Sequence, residues 1–304
     1  MTKEEIVIIL EKHHKFLQDL DGGEKATFKC VNLKGADFEG AHLEGANFEY
    51  ADLEKANFEN ADLTFANFEG AHLEKVNFEC ADLSFANCEG ANFENANLDS
   101  ATLAIANFKK ANFEGANLKG ADLEKCYLEN AYLKNAYLER VDLEGADLEN
   151  AYLKNAYLVN ANLKGAYLKN ANLEKCNLEN ANLEGAYLVN ANLKNANLEK
   201  CNLAKANLEG ANLEGTNLEG ANLKETKTEK RYIQIACNGS VGMLTTYCFD
   251  DDMIFCGCWK GTLVEFEKRI IQTYPEDKYY YEYIYFVEFL KKIKNIKGEK
   301  NEKI

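Results

Sequence analysis

Apolar positions recur with a period of five from residue 26 to residue 225. Every fifth residue from Phe28 to Leu223 is Leu or Phe, Cys88 excepted, and two residues before each stands Ala or another small residue, as in Ala46-Asn47-Phe48-Glu49-Tyr50. Neither a helix nor a flat strand keeps both sets on one side, because their periods are about 3.6 and 2. A chain that turns a corner after every pentad does. Four pentads then close a square coil of 20 residues, and each coil stacks on the last through backbone hydrogen bonds. The expected architecture is a β-solenoid with Leu/Phe and Ala pointing inward and the other three positions pointing out. Its 40 pentads make ten coils, a rod of roughly 48 Å at about 4.8 Å per coil.

The flanks follow other patterns. Thr2 and Glu5 form a capping box. Ile6, Ile9, Leu10, Phe16, Leu17 and Leu20 follow on one helical face, and Gly22-Gly23 supplies a stop. An uncovered rod end exposes apolar side chains and unpaired strand edges, so this helix is expected to be a lid on the first coil. His13 and His14 lie on it. Adjacent helical positions do not face each other, which favours packed or solvated histidines over a metal or acid–base pair. Beyond a polar link at 226–230, strands are expected at 232–237, 243–249 and 253–259, with Asn238-Gly239 and Asp250-Asp251-Asp252 as turns. Thr262 and Glu265 form a second capping box, opening a helix that Pro275 ends. A last helix at 277–294 carries Tyr280, Tyr283, Ile284, Phe286, Val287 and Leu290. It is apolar on most sides, so burial is expected. The expected division is a capping helix at 1–25, the solenoid at 26–225, and an α+β capping or assembly domain at 226–304.

The Ala-(Asp/Asn)-Leu-x-x motif resembles the pentapeptide-repeat family over 200 of 304 residues. That resemblance implies a right-handed quadrilateral β-helix, a handedness the sequence itself does not contain. Gly257-Cys258-Trp259-Lys260-Gly261-Thr262 resembles tails of some bacterial members, and no activity is implied by it.

Composition narrows the function. The formal net charge is −15, and an acidic rod repels phosphates, which disfavours direct nucleic-acid binding. No apolar run reaches the roughly 18 residues a membrane span requires. The opening Met1-Thr2-Lys3-Glu4-Glu5 puts acids where a secretion signal needs positive charge. Cys126, Cys176 and Cys201 replace inward Ala, and Cys88 replaces an inward Leu/Phe, all on different coils. Disulfides are therefore not expected, and reduced thiols in a cytoplasmic protein are. Cys237, Cys248, Cys256 and Cys258 are the one constellation with possible chemistry, since four thiols could bind zinc. Small cysteines alternating into a buried sheet explain them as well, and no cofactor is expected. His42 and His72 occupy outward sites. The chain has no phosphate loop or nucleophile elbow. A solenoid interior filled by side chains has no ligand pocket, so an enzyme is not expected.

Function then belongs to the outer wall, where residues 20 apart stack. Residues 26–105 hold 15 acids and 4 bases, whereas residues 106–225 hold 17 and 14. The early acids form columns: Glu49, Glu69 and Glu89; Glu54, Glu74 and Glu94; Glu39, Glu59, Glu79 and Asp99. On the fourth face Phe65, Phe85 and Ile105 stack at one outward position, beside Thr64, Ser84 and Ala104. Such a stripe suits a docking site as well as wall packing. From coil six Tyr enters outward columns: Tyr132 over Tyr152, Tyr137 over Tyr157, Tyr167 over Tyr187. These are expected to be structural ladders. The leading reading is a non-catalytic scaffold for a protein partner or a second copy of itself. The alternative comes from the resemblance: acidic family members that protect DNA gyrase from quinolones mimic DNA, which would use Glu49, Glu54, Glu69 and Glu74. The uninterrupted pentads, without projecting loops, and the uneven charge depart from that group.

Overall fold

The computed structural model describes residues 1–228, 232–236, 244–248, 252–256, 259–273 and 278–301. Helix α1, Lys3–Leu17, starts at the expected box: Glu5 N–H donates to Thr2 Oγ1 at 3.2 Å, and Thr2 N–H to Glu5 Oε2 at 2.8 Å. Ile6, Ile9 and Leu10 pack against the solenoid core. The rest of the expected face does not. Phe16, within the helix, is exposed and stacks on His13, and Leu20 is exposed beyond the helix end at Leu17, where Asp19 turns the chain with a left-handed φ of 54°. The stop thus precedes the glycines.

His13 is fully buried beneath this lid. Its Nδ1 accepts from the Ala26 N–H at 3.1 Å, which fastens the helix to the first pentad, while Nε2 has no partner among the described residues. Burial, assisted by the Lys25 charge, holds its pKa below the ordinary value. A depressed histidine stabilises the docked state above about pH 6.5, the unfolded value, and that stabilisation is lost as pH falls. Detachment of α1, followed by amide exchange, is expected to become easier as pH falls below about 6.5. His13→Gln should remove that dependence. A wild-type lid equally protected above and below that pH would disprove the role.

From residue 26 onward the pentads close four-sided coils. Parallel bridges join residues 20 apart, from Thr27 with Asn47 up to Asn207 with Lys227. Each corner is a turn in which the next N–H reaches back three residues, as Ala46 N–H does to Leu43 O at 2.9 Å. The residue before it adopts positive φ, as at Gly45 (69°) and Asn60 (56°), the geometry of a type II turn. Asn at the second pentad position serves twice. Its Oδ1 accepts from the N–H two residues on, as Asn47 does from Glu49 at 2.9 Å, and its amide bonds the Asn one coil below, as Asn97 to Asn77 at 2.9 Å.

Inside, Phe rings build two stacks at 4.8–5.0 Å, Phe28-Phe48-Phe68 and Phe38-Phe58-Phe78, which meet edge to face. Cys126, Cys176 and Cys201 fit where Ala would, each Sγ donating to a Leu carbonyl at 2.7–2.8 Å. Burial pushes the Cys126 and Cys176 thiols up to about 12.

Beyond the rod, β1 (Tyr232–Ala236), β2 (Leu244–Cys248), β3 (Met253–Cys256) and β4 (Trp259–Thr262) form an antiparallel sheet in that order. The single strand expected at 253–259 is in fact two, with Cys256 paired to Trp259. Helices α2 (Leu263–Thr273) and α3 (Lys278–Asn301) follow. One face of α3, with Tyr283, Phe286, Val287 and Leu290, is buried against α2 and the sheet, whereas Tyr281, Tyr285 and Phe289 are exposed. Phe255 and Met253 face the other way and join the solenoid core. No helix of the described residues is long and apolar enough to cross a membrane.

Candidate interaction surfaces

The square section puts pentad position five at every corner, where backbone geometry, not burial, selects the residue. Gly, Asn or Lys fills most corners, yet position five of three successive coils holds Phe65, Phe85 and Ile105. All three are left-handed, with φ of 59°, 62° and 61°. A bulky or β-branched residue at positive φ is a true outlier. They are also exposed, by 65%, 48% and 39%. Phe65 and Phe85 stack with centroids 4.9 Å apart. Beside them Asp62 is turned to the wall, its Oδ1 accepting from the Thr64 N–H at 3.1 Å and hydroxyl at 2.8 Å, and Ser84 is buried. The column is therefore an uncharged strip.

The acidic columns differ in kind. Glu49 meets Lys29 at 2.6 Å, and Glu54 meets Lys34 at 3.1 Å and Lys55 at 3.0 Å. The Lys55 and Lys34 ammonium groups hold the Glu54 carboxyl below its ordinary pKa. Glu69 accepts from Asn87 at 3.2 Å, and Glu74 from Asn92 at 2.7 Å. These carboxylates lie along the wall instead of projecting from it: the side chains of Glu49, Glu54 and Glu74 are 20–30% exposed.

The Tyr columns form ladders, with Tyr132–Tyr152 and Tyr167–Tyr187 stacked at 5.0 Å. Tyr137 and Tyr157 are bridged through their backbones. Of the four tail cysteines, Cys237 and Cys258 lie outside the described residues. Cys248 is buried opposite Met253, and Cys256 sits three positions further along β3, near Thr245 Oγ1 at 3.1 Å. His14 is beside Gln18. His72 lies 3.6 Å from Glu74. His42, Glu44 and Asp62 bring one potential ligand atom each within 4.8 Å of one another, His42 and Asp62 being 20 residues apart and therefore stacked.

The comparisons agree with this geometry. The model for pentapeptide repeats matches eight copies, at residues 24–45, 41–79, 77–115, 106–145, 146–185 and 186–224. The chain belongs to the pentapeptide-repeat family. Its structure is similar to that of HetL, a pentapeptide-repeat protein involved in heterocyst differentiation regulation from Nostoc sp. strain PCC 7120. The two are 34% identical, the match covers 74% of this chain and 98% of HetL, and the TM-score is 0.67. Rfr23 from Cyanothece 51142 is 32% identical over 47% of this pentapeptide-repeat protein and 87% of its own length, with a TM-score of 0.26. QnrB1, a plasmid-mediated fluoroquinolone resistance protein, is 18% identical over 67% of this chain and 92% of its own, with a TM-score of 0.23. No curated protein sequence matches the chain.

Proposed function

We propose that this pentapeptide-repeat protein is a non-catalytic scaffold that docks a protein partner along Phe65, Phe85 and Ile105. The observation that carries the reading is three successive corners that expose large apolar side chains in one column, where other corners hold mostly Gly, Asn or Lys. A left-handed non-Gly residue costs on the order of 1 kcal/mol. Within the fold, one exposed ring stack offsets part of that cost and only for the two phenylalanines. A contiguous exposed apolar column is characteristic of a surface used for contact.

The test is the triple substitution Phe65→Ser, Phe85→Ser, Ile105→Ser. It should abolish capture of the partner from native extract while melting shifts by only a few degrees, as for surface changes. Lower stability with association intact would make the column wall packing. The acidic columns favour a second reading, a DNA mimic acting on gyrase, but their paired, wall-hugging carboxylates suit phosphate mimicry poorly. Purified gyrase belongs in the same experiment as a control, with no change in supercoiling expected.

A further inference from the structure

The domain beyond the rod carries a second exposed apolar surface. On α3, Tyr283, Phe286, Val287 and Leu290 face the domain core. Tyr281, Tyr285 and Phe289 lie on the other side and are exposed. Their spacing of four residues sets them in one stripe along the helix. On α2, Val264 and Ile271 are exposed on the side of Glu267, which meets the Lys291 ammonium of α3 at 2.6 Å. Large exposed aromatic groups in a continuous patch are the composition of a contact surface.

This surface and the Phe65 column sit in unlike fields. Residues 26–105, which contain the column, hold 15 acids and 4 bases. The corners on either side of it carry Glu59, Glu79 and Asp99, and Glu69 and Glu89. Glu59, Glu69 and Glu79 accept from Asn amides at 3.1–3.2 Å, neutral donors that leave the carboxylate charge in place. Helix α3 holds 6 bases and 3 acids, and Lys292 is exposed one turn beyond Phe289. Two columns face to face would bring acidic walls together, and two α3 faces would oppose like excesses of base. A column against an α3 face pairs opposite charge. The spacing also matches. The column repeats at 4.9 Å, so its three members span roughly 10 Å. The α3 stripe spans about 12 Å at 1.5 Å per residue.

Within one molecule the two surfaces stay apart. Met253 and Phe255 hold the sheet to Leu213 in coil ten. Ile105 lies six coils earlier, roughly 29 Å away at about 4.8 Å per coil. We propose that the α3 face of one molecule docks on the Phe65 column of another, a head-to-tail contact between copies of this chain. The contact rests on the docking role proposed for the column and supplies its occupant. It is heterologous, because each contact uses one column and one α3 face.

Sedimentation velocity of the full chain is the test. Mass should rise with concentration at low salt, and added salt should reverse the rise. Two triple variants, Phe65→Ser with Phe85→Ser and Ile105→Ser, and Tyr281→Ser with Tyr285→Ser and Phe289→Ser, should each stay monomeric alone. Mixed in equal amounts, they retain one intact column and one intact α3 face between them and should form a heterodimer. That heterodimer also shows that both variants fold. Glu59→Gln, Glu69→Gln and Glu79→Gln together keep an acceptor for each Asn. They should weaken self-association about tenfold and flatten its salt dependence. A wild type that stays monomeric, a triple variant that associates alone, or a mixture that does not pair would overturn the head-to-tail contact. The column is judged separately. If the wild type is monomeric while the column variant still loses its partner from native extract, the second copy is refuted and the docking surface stands.

Discussion

Leu133→Asp is expected to collapse the coils around it. Leu133 is 1% exposed, inside an apolar core where it stacks on Phe113 of the coil below. A carboxylate there meets no hydrogen-bond donor and no cation, and the cost is about 4 kcal/mol or more. Each coil contacts only its neighbours, so the damage should spread as local loss of exchange protection around coils five to seven before global unfolding. Glu129→Ala, four residues earlier, removes a wall-side pair with Lys109 at 2.7 Å. It should cost at most about 1 kcal/mol. Equal losses in chemical denaturation would mean that the inward and outward assignment is wrong.

Phe58→Ala should cost about 3–5 kcal/mol. The ring stacks on Phe38 at 4.8 Å and Phe78 at 5.0 Å, and meets Phe48 and Phe68 edge to face at 5.5 and 6.0 Å. Deleting it leaves a cavity that the stacked backbone cannot close, and breaks four ring contacts at once. Phe65→Ala changes the same residue type seven positions on, at an exposed corner, and should be within about 0.5 kcal/mol of wild type. A Phe58 variant that melts like the Phe65 variant would refute the account of the Phe stacks.

The rod was legible because a single rule repeats forty times and each pentad obeys it independently. The column of Phe65, Phe85 and Ile105 was legible for the same reason, since residues 20 apart must stack. Its strain was not, because Phe and Ile are not residue types that announce a left-handed backbone. At the ends the rule stops, and local reasoning had less to use. Leu20 fits a helical stripe, but Asp19 turns the chain early. The alternation through 253–259 suits one long strand or a tight hairpin equally, and pairing of Cys256 with Trp259 decides for the hairpin. The packing of Phe255 and Met253 onto the solenoid core had no signal at all. It arises from where the sheet sits relative to the last coil, a relation that no repeat encodes.

The corner geometry also makes the rod a dial. Since each pentad advances the chain by one side of the square, a five-residue deletion anywhere between Ile105 and Leu213 would preserve every turn type and inward position. It would nonetheless rotate all that follows by a quarter turn relative to the Phe65 column. Length changes of whole coils move the two ends apart without twisting them, whereas changes of single pentads reorient them. The relative bearing of two surfaces on this molecule is thus set by counting residues, and it can be reset in steps without touching either surface.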